Sequence, residues 1–242
     1  MLSILKKELT SFFSSPIGYL VITVYLLVNG LFLWVFEGDF NILHAGFADL
    51  NSYFFLAPWI FIFLIPAITM RSFSDEINTG TIEILKTKPI TTWQIILGKY
   101  LGSLTLVIIT IIPTLIYAFS IYKLGNPVGN VAIGTTLGSF IGLLFLASSY
   151  TAIGIFSSTI SKNQIVSFLI AVFICFFLYY AFEALATYNL FGNLDATIQN
   201  LGMSAHFNSI GKGVIDTRDL IYFFSVSFLF LFLTKQKIEN AQ

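Results

Sequence analysis

Long apolar stretches separated by short polar ones dominate the pattern of this chain. A helix needs about 20 apolar residues, at a rise of about 1.5 Å each, to cross a bilayer. The predicted spans cover residues 17–36, 53–70, 93–121, 131–157, 165–182 and 220–233. The last of these is the shortest. The pattern therefore predicts an all-α integral membrane protein with six transmembrane helices in a single domain, residues 1–242.

Composition supports a membrane protein. Charged residues make up 10% of the chain and hydrophobic residues 57%, whereas soluble domains carry about 25% charged residues. The formal net charge is zero, so nothing indicates binding to nucleic acid. The single cysteine, Cys175, lies in an apolar run, which excludes an intrachain disulfide and a cysteine-rich metal site.

Residues 1–15 predict an amphipathic helix that precedes the first span. Its apolar side carries Leu2, Leu5, Leu9, Phe12 and Phe13. Lysines and hydroxyl residues fall largely on the other side, so we expect the helix to lie in the membrane interface. The alternative is an extension of the first span, although Pro16 separates the two. The apolar run that follows is too long for a typical signal peptide.

Residues 71–92 form the most charged stretch and separate two spans. The charged residues are Arg71, Asp75, Glu76, Glu83, Lys86 and Lys88. An ionised side chain at the centre of a membrane helix costs about 2.5–3.5 kcal/mol, so this stretch must project into water. Ile77, Ile82, Ile84 and Leu85 give it an apolar side. It is therefore predicted to be an amphipathic helix that contacts a soluble partner; a solvated linker is the alternative.

Two shorter patterns refine the prediction near the ends of the spans. Thr91 and Gln94, three residues apart, predict a capping box at the start of the third span. Residues 184–219 are moderately apolar, and we expect them to form short helices that re-enter the outer membrane interface.

The distribution of positive charge predicts the orientation in the membrane. One side carries nine basic residues: Lys6, Lys7, Arg71, Lys86, Lys88, Lys99, Lys162, Lys235 and Lys237. The other side carries three: Lys123, Lys212 and Arg218. Because basic residues accumulate in cytoplasmic loops, we expect both termini and residues 71–92 to be cytoplasmic.

No motif for catalysis or for a resident cofactor occurs. Gly98-Lys99 and Gly211-Lys212 lack the other residues of a phosphate-binding loop, so no ATP hydrolysis by that route and no catalytic residue is expected. The two histidines, His44 and His206, are far apart and predict no metal site. Ionisable residues are nearly absent from the predicted spans, although ion-coupled transporters usually contain them. The energy source is therefore expected to be a separate cytoplasmic partner.

The fourth span contains Gly134, Gly138 and Gly142, a doubled G-x-x-x-G pattern on one helix face. Such glycines allow two helix backbones to approach closely. The sequence leaves two interpretations open, namely packing within this chain and an interface with a second subunit.

Two segments carry a resemblance to a known family. Residues 70–102 resemble the segment after the second span in permease subunits of the ABC-2 class of ABC transporters. The shared residues are Phe73, Glu76, Gly80, Thr81, Glu83, Leu85, Pro89, Gly98 and Lys99. Residues 206–220 resemble the stretch before the last span in the gliding-motility-associated subgroup. Within that stretch the candidate residues are His206, Gly213, Asp216, Arg218 and Asp219.

The resemblance implies an ABC-2 permease fold, similar to type V exporters, with residues 71–92 as the coupling helix that docks on an ATPase. The expected coupling residues are Phe73, Asp75, Glu76, Ile77, Gly80, Thr81, Glu83 and Leu85. The acidic ones are expected to pair with basic residues of the ATPase, whereas Ile77, Ile82 and Leu85 fill its groove.

The resemblance also implies the composition of a complex. Two permease subunits, identical or different, are expected to bind two ATPase subunits, which hold the ATP and Mg²⁺. A periplasmic or auxiliary membrane subunit is a further expected partner. The complex is expected in the inner membrane of a bacterium, where it exports a substrate in connection with gliding motility.

Two other functions remain open at the level of sequence. The alternatives to a permease subunit are a stand-alone secondary transporter and a non-transporting anchor that performs mechanical work in a motility or secretion complex. The scarcity of charge within the spans argues against the first. A transport assay with the ATPase present separates the second from ATP-driven transport.

Overall fold

The computed structural model describes residues 1–44, 46–86, 89–188, 192 and 195–240, apart from the side chains of residues 84–86. Lys88 therefore lies outside the described residues, as do the side chains of Ile84, Leu85 and Lys86. The described part of the chain is helical and contains no strand.

The helices follow one another closely along the chain. They are α1 (Leu2–Ser14), α2 (Pro16–Gly30), α3 (Asn51–Thr69), α4 (Arg71–Asn78), α5 (Thr81–Lys86), α6 (Thr92–Ile111), α7 (Leu115–Leu124), α8 (Ile133–Ser157), α9 (Gln164–Phe176), α10 (Phe182–Thr187), α11 (Asp195–Gln199), α12 (Met203–Gly211) and α13 (Thr217–Asn240). Short π- and 3₁₀-helical segments extend α2 and α9 and join α6 to α7.

Six helical stretches of the described residues are long and apolar enough to cross a membrane. They are Pro16–Val35, Asn51–Asn78, Thr92–Leu124, Ile133–Ser157, Gln164–Thr187 and Thr217–Asn240. The prediction of an all-α fold with six transmembrane helices is confirmed. The chain is a multi-pass membrane protein.

Five of these stretches differ in length from the predicted spans, and the second and the sixth differ most. The second continues through Met70, whose φ of −52° and ψ of −32° are helical, so α4 prolongs α3 without a break. The sixth has 24 residues instead of covering only residues 220–233. It was predicted too short because a count of apolar residues misses the polar turns at both ends, one of which carries a Lys235–Glu239 pair at 3.7 Å.

Among the described residues, two groups of buried apolar side chains hold the helices together. The larger group surrounds α3 and α8 and includes Tyr53, Phe61 and Tyr150. The smaller group lies at one end of the bundle and joins α4 to α6 and α13 through residues such as Phe73 and Ile96. We refer to this end, where α1, α4 and α5 lie, as the α4 end.

A capping box fixes the first turn of α6. The Thr91 hydroxyl accepts a hydrogen bond from the Gln94 backbone N–H at 3.3 Å. The Gln94 side-chain oxygen accepts one from the Thr91 backbone N–H at 3.2 Å. Both bonds of the box predicted from the sequence are therefore present.

Candidate functional site

The candidate site lies at the α4 end and begins with the buried face of α4. Ser72, Phe73 and Ser74 are buried there, and the Phe73 ring is fully enclosed. The Ser74 hydroxyl donates a hydrogen bond to the Met70 carbonyl at 2.6 Å. Because α4 is packed on one face and continuous with α3, it holds a fixed position on the bundle.

The turn between α4 and α5, residues 78–81, is exposed and structured. Thr79 donates its hydroxyl proton to the Asp75 carbonyl at 2.7 Å and lies 3.0 Å from the Thr81 hydroxyl. Gly80 has a φ of +71°, a conformation that favours glycine. Glu83 on α5 is also exposed. We call residues 78–83 the exposed turn.

A buried cluster of charges lies on the face of α4 that packs against the rest of the protein. The Lys99 ammonium, on α6, donates three hydrogen bonds: to Glu8 Oε1 at 3.1 Å, to Glu76 Oε1 at 2.9 Å and to the Ser72 carbonyl at 2.7 Å. Its side chain is only 3% exposed, and those of Glu8 and Glu76 are 12% and 13% exposed. Three N–H groups thus meet three acceptors from α1 and α4.

The charges of this cluster balance. Lys7 Nζ lies 3.5 Å from Glu76 Oε1, which gives two ammonium groups and two carboxylates. Lys99 also lies 5.0 Å from the centre of the Phe73 ring, within the range of a cation–π contact. A buried ion is tolerated when it is paired and hydrogen-bonded, as Lys99 is. We refer to Lys7, Glu8, Glu76 and Lys99 as the Lys99 cluster.

This arrangement differs from the expectation that the acidic residues of the segment face a partner. Glu76 points into the protein, and Asp75 accepts a hydrogen bond from the Gln164 side chain on α9. Ile77 is half-buried, whereas Glu83 is exposed. The helical repeat explains the difference, because residues 73, 76 and 77 share the face on which α4 packs.

The sequence did not predict that α1 packs on α6, the first helix of the third span. A Cβ at Gly98 would lie 2.8 Å from Ile4 Cβ, and one at Gly102 would lie 2.8 Å from Glu8 Cβ. These two glycines form a G-x-x-x-G pattern that includes Lys99, so the backbone of α6 approaches α1 closely. The pattern was visible in the sequence, but its partner helix was not.

The segment before the last span brings two of its candidate residues together. His206 Nδ1 lies 2.6 Å from Asp219 Oδ1, and Nε2 lies 2.8 Å from the Asn200 carbonyl oxygen. The His206 ring stacks on Tyr222 with centroids 3.9 Å apart, and the Tyr222 hydroxyl donates to the Leu201 carbonyl at 2.6 Å. His206 therefore ties α12 to the start of α13.

The other candidate residues of this segment lie in the solvent-exposed connection between α12 and α13 and in the first turn of α13. Gly213 has a φ of +87°, and the Asp216 carboxylate accepts a hydrogen bond from the Arg218 backbone N–H at 2.9 Å. Asp216 thus starts α13 in the manner of a helix cap. The geometry of Gly213, Asp216 and Arg218 is that of a turn and a helix start.

The glycines of α8 pack on α12 of the same chain. A Cβ at Gly138 would lie 2.5 Å from the Ile210 carbonyl oxygen, and one at Gly142 would lie 3.2 Å from the Phe207 ring. At Gly134 a Cβ would meet nothing within 4 Å, although the backbone of Gly134 contacts Gly213. This geometry favours the first of the two interpretations, packing within the chain.

The fold and this site define a multi-pass helical membrane protein with a structured, exposed turn after its second span. A family model described as ABC-2 family transporter protein matches residues 2–210. The chain therefore belongs to the ABC-2 family of transporter proteins. Members of this family are membrane components of transporters, are generally not catalytic themselves and normally work with a cytoplasmic ATPase. No curated protein matches the chain.

Proposed function

We propose that the chain is the membrane-spanning permease subunit of an ABC transporter and that a separate ATPase docks on the exposed turn. One observation carries this proposal: the turn projects from the bundle on a helix that is anchored by buried apolar and charged contacts. A rigidly mounted, exposed element between two spans suits the transmission of force from a soluble partner.

The ATPase is the expected site of ATP and Mg²⁺ binding. Glu83 and the threonines of the exposed turn are the polar groups available to it. The count of basic residues supports a cytoplasmic position for the turn and for both termini. The resemblance to the gliding-motility-associated subgroup supports the inner membrane of a bacterium. Family membership supports an assembly of two permease subunits, identical or different, with two ATPase subunits.

Export is the proposed direction of transport, and gliding motility is the proposed setting. The first rests on the resemblance to type V exporters. The second rests on the resemblance of residues 206–220 to one subgroup. Loss of colony spreading on deletion of the gene would support the motility assignment, and normal spreading would contradict it.

Site-specific photocrosslinking in native membranes tests the docking proposal. A photoreactive amino acid replaces Thr81 in the exposed turn, and a matched variant carries it at Val214, an exposed residue beyond α12. We expect a product at Thr81 that contains a protein with a phosphate-binding loop, identified by mass spectrometry, and no such product at Val214. The same result at both positions, or none at Thr81, would contradict docking at this turn.

A further inference from the structure

His206, in the segment before the last span, has an oxygen atom opposite each of its ring nitrogens. Nδ1 lies 2.6 Å from Asp219 Oδ1, and Nε2 lies 2.8 Å from the Asn200 carbonyl oxygen. A neutral imidazole has one N–H donor, whereas an imidazolium has two. A carbonyl oxygen cannot donate, and a carboxyl group donates only when it is itself protonated. Both contacts are therefore hydrogen bonds only when His206 and Asp219 together hold one additional proton.

We infer that His206 and Asp219 form a proton-binding site, and that its occupancy controls how residues 200–202 are attached to α12 and α13. These residues connect α11 to α12, and we call them the 200–202 connection. With the proton bound, the His206 ring donates to Asp219 and to Asn200. Without it, one of the two contacts brings two lone pairs together. This inference goes beyond the proposed function and does not depend on the docking of an ATPase.

The surroundings of the imidazole suit a positive charge. The Asp219 side chain is 6% exposed, and its Oδ2 atom is buried with no hydrogen-bond partner among the described residues. A buried carboxylate is tolerated when an opposite charge pairs with it. The Tyr222 ring stacks on the imidazole with centroids 3.9 Å apart, and the face of an aromatic ring attracts a cation. A protonated His206 therefore meets an anion at its edge and a π-face on its side.

The neighbouring elements bring few other titratable groups to this place. In the described part of the chain, the ion pair that involves His206 is the one with Asp219. Two elements that pack on α12, namely α8 and the π-helical segment Phe177–Ala181, carry tyrosines as their titratable residues: Tyr150, Tyr179 and Tyr180. The charged residues of the adjoining helices and connections are Glu183, Asp195, Lys212, Asp216 and Arg218. Asp219 is therefore the group expected to set the behaviour of the imidazole.

Loss of the proton should release Asn200 rather than Asp219. Hydrogen bonds to a carboxylate are stronger than those to a neutral carbonyl, so the remaining N–H stays at Nδ1. Nε2 then presents a lone pair to the Asn200 carbonyl oxygen, and the two repel each other. The Tyr222 hydroxyl still donates to the Leu201 carbonyl at 2.6 Å. The proton thus decides whether two side-chain hydrogen bonds or one attach the 200–202 connection.

The site lies at the end of the bundle opposite to the α4 end. Gly138, near the start of α8, contacts Ile210, one turn after His206 on α12. Gly154, near the end of α8, contacts Thr69 at the end of α3. Because the basic residues predict a cytoplasmic α4 end, the proton would come from the outer compartment. Histidine changes its charge between about pH 5 and about pH 8, so the pH of that compartment would act on the 200–202 connection.

Nitrogen NMR of the full chain in nanodiscs tests the proton directly. Labelling with ¹⁵N-histidine in a His44→Gln background leaves His206 as the only labelled ring, since the chain has two histidines. We expect two protonated ring nitrogens at about pH 5 and one, Nδ1, at about pH 8. One protonated nitrogen at both pH values, or two at both, would overturn the inference.

A distance measurement tests the effect of the proton on the 200–202 connection. Spin labels are placed at Thr197→Cys on α11 and Ile221→Cys on α13, both exposed positions, in a Cys175→Ala background. We expect a narrow distance distribution at about pH 5 and a broader one at about pH 8. The same distribution at both pH values would contradict control by the proton.

Three variants assign the transition to the pair. His206→Phe should give the broad distribution at both pH values. Asp219→Asn should move the midpoint to lower pH by about 1–3 units, because an opposite charge nearby favours the protonated histidine by about that much. A merely structural contact predicts no such movement. Lys212→Gln, a change at an exposed lysine after α12, should leave the midpoint in place. A transition that persists in His206→Phe, or an unmoved midpoint in Asp219→Asn, would refute the proton-binding site.

Discussion

Glu76 Oε1 lies 2.9 Å from the ammonium of Lys99. Glu76 therefore faces the inside of the protein, although it belongs to the segment expected to meet a soluble partner. This pairing divides the acidic residues of the segment into two kinds. Glu76 belongs to the anchor of α4, whereas Glu83 belongs to its exposed surface. Substitutions at these two positions should therefore have different effects.

Glu76→Arg should destabilise the protein. The change places a third cation beside Lys7 and Lys99 and leaves Glu8 as the only carboxylate of the cluster. Disrupting a buried ion pair costs about 3–5 kcal/mol. Thermal unfolding in detergent should give a lower Tm for Glu76→Arg than for the unmodified chain. The Tm of Glu76→Gln should lie between those two values. An unchanged Tm for Glu76→Arg would contradict the buried cluster.

Glu83→Arg should impair docking without lowering the stability of the protein. Its side chain is exposed, so the Tm should stay at that of the unmodified chain. Reversal of charge should weaken the pairing with basic groups of an ATPase and reduce the yield of the Thr81 crosslink. Glu239→Arg, a change on the exposed end of α13, is the matched control. Equal crosslink yields in all three proteins would remove Glu83 from the docking surface.

His206→Phe should loosen the contact between α12 and α13. Phenylalanine keeps a ring that can stack on Tyr222, but it removes both hydrogen bonds and leaves the buried Asp219 carboxylate without its partner. The cost of an unsatisfied buried group is about 1–3 kcal/mol. Limited proteolysis of reconstituted protein should cut near residue 212 sooner than in the unmodified chain.

Asp219→Asn is the matched change for that experiment. The amide oxygen still accepts a hydrogen bond from His206, so the effect should be smaller than that of His206→Phe. Equal cleavage rates for His206→Phe and the unmodified chain would show that the pair does not hold α12.

The glycines of α8 offer a test within a single helix. Gly138→Ala brings a methyl group to 2.5 Å from the Ile210 carbonyl, which is backbone and cannot turn away. We expect a loss of about 1–3 kcal/mol, as in other overpacked sites. Gly134→Ala meets open space and should stay within about 1 kcal/mol of the unmodified chain. The two Tm values should differ accordingly; equal values would contradict this contact.

The features that sequence reasoning predicted depend on residues close together in the chain. Runs of apolar residues predict the six spans, because crossing a bilayer sets their length. The capping box needs only Thr91 and Gln94. The charge and apolar side of residues 71–92 predicted a helical segment between two spans, but not its division into α4, the exposed turn and α5.

The features it missed depend on partners far apart in the chain. Glu8 and Lys99 are 91 residues apart and meet because α1 folds back on α6. A carboxylate on an amphipathic helix is normally assigned to the solvent side, and Glu76 breaks that rule because Lys99 lies beneath it. Hydropathy alone cannot distinguish a charge that faces water from one that faces a buried counter-charge.

Residues 78–81 of the exposed turn carry short side chains and a glycine whose flank is open, so main-chain shape makes up much of the surface there. The bend of the main chain and the charge of Glu83 are then the two features that a partner can recognise. If an ATPase docks there as proposed, a related chain should be accepted when it keeps both the bend at Gly80 and an acidic residue at position 83.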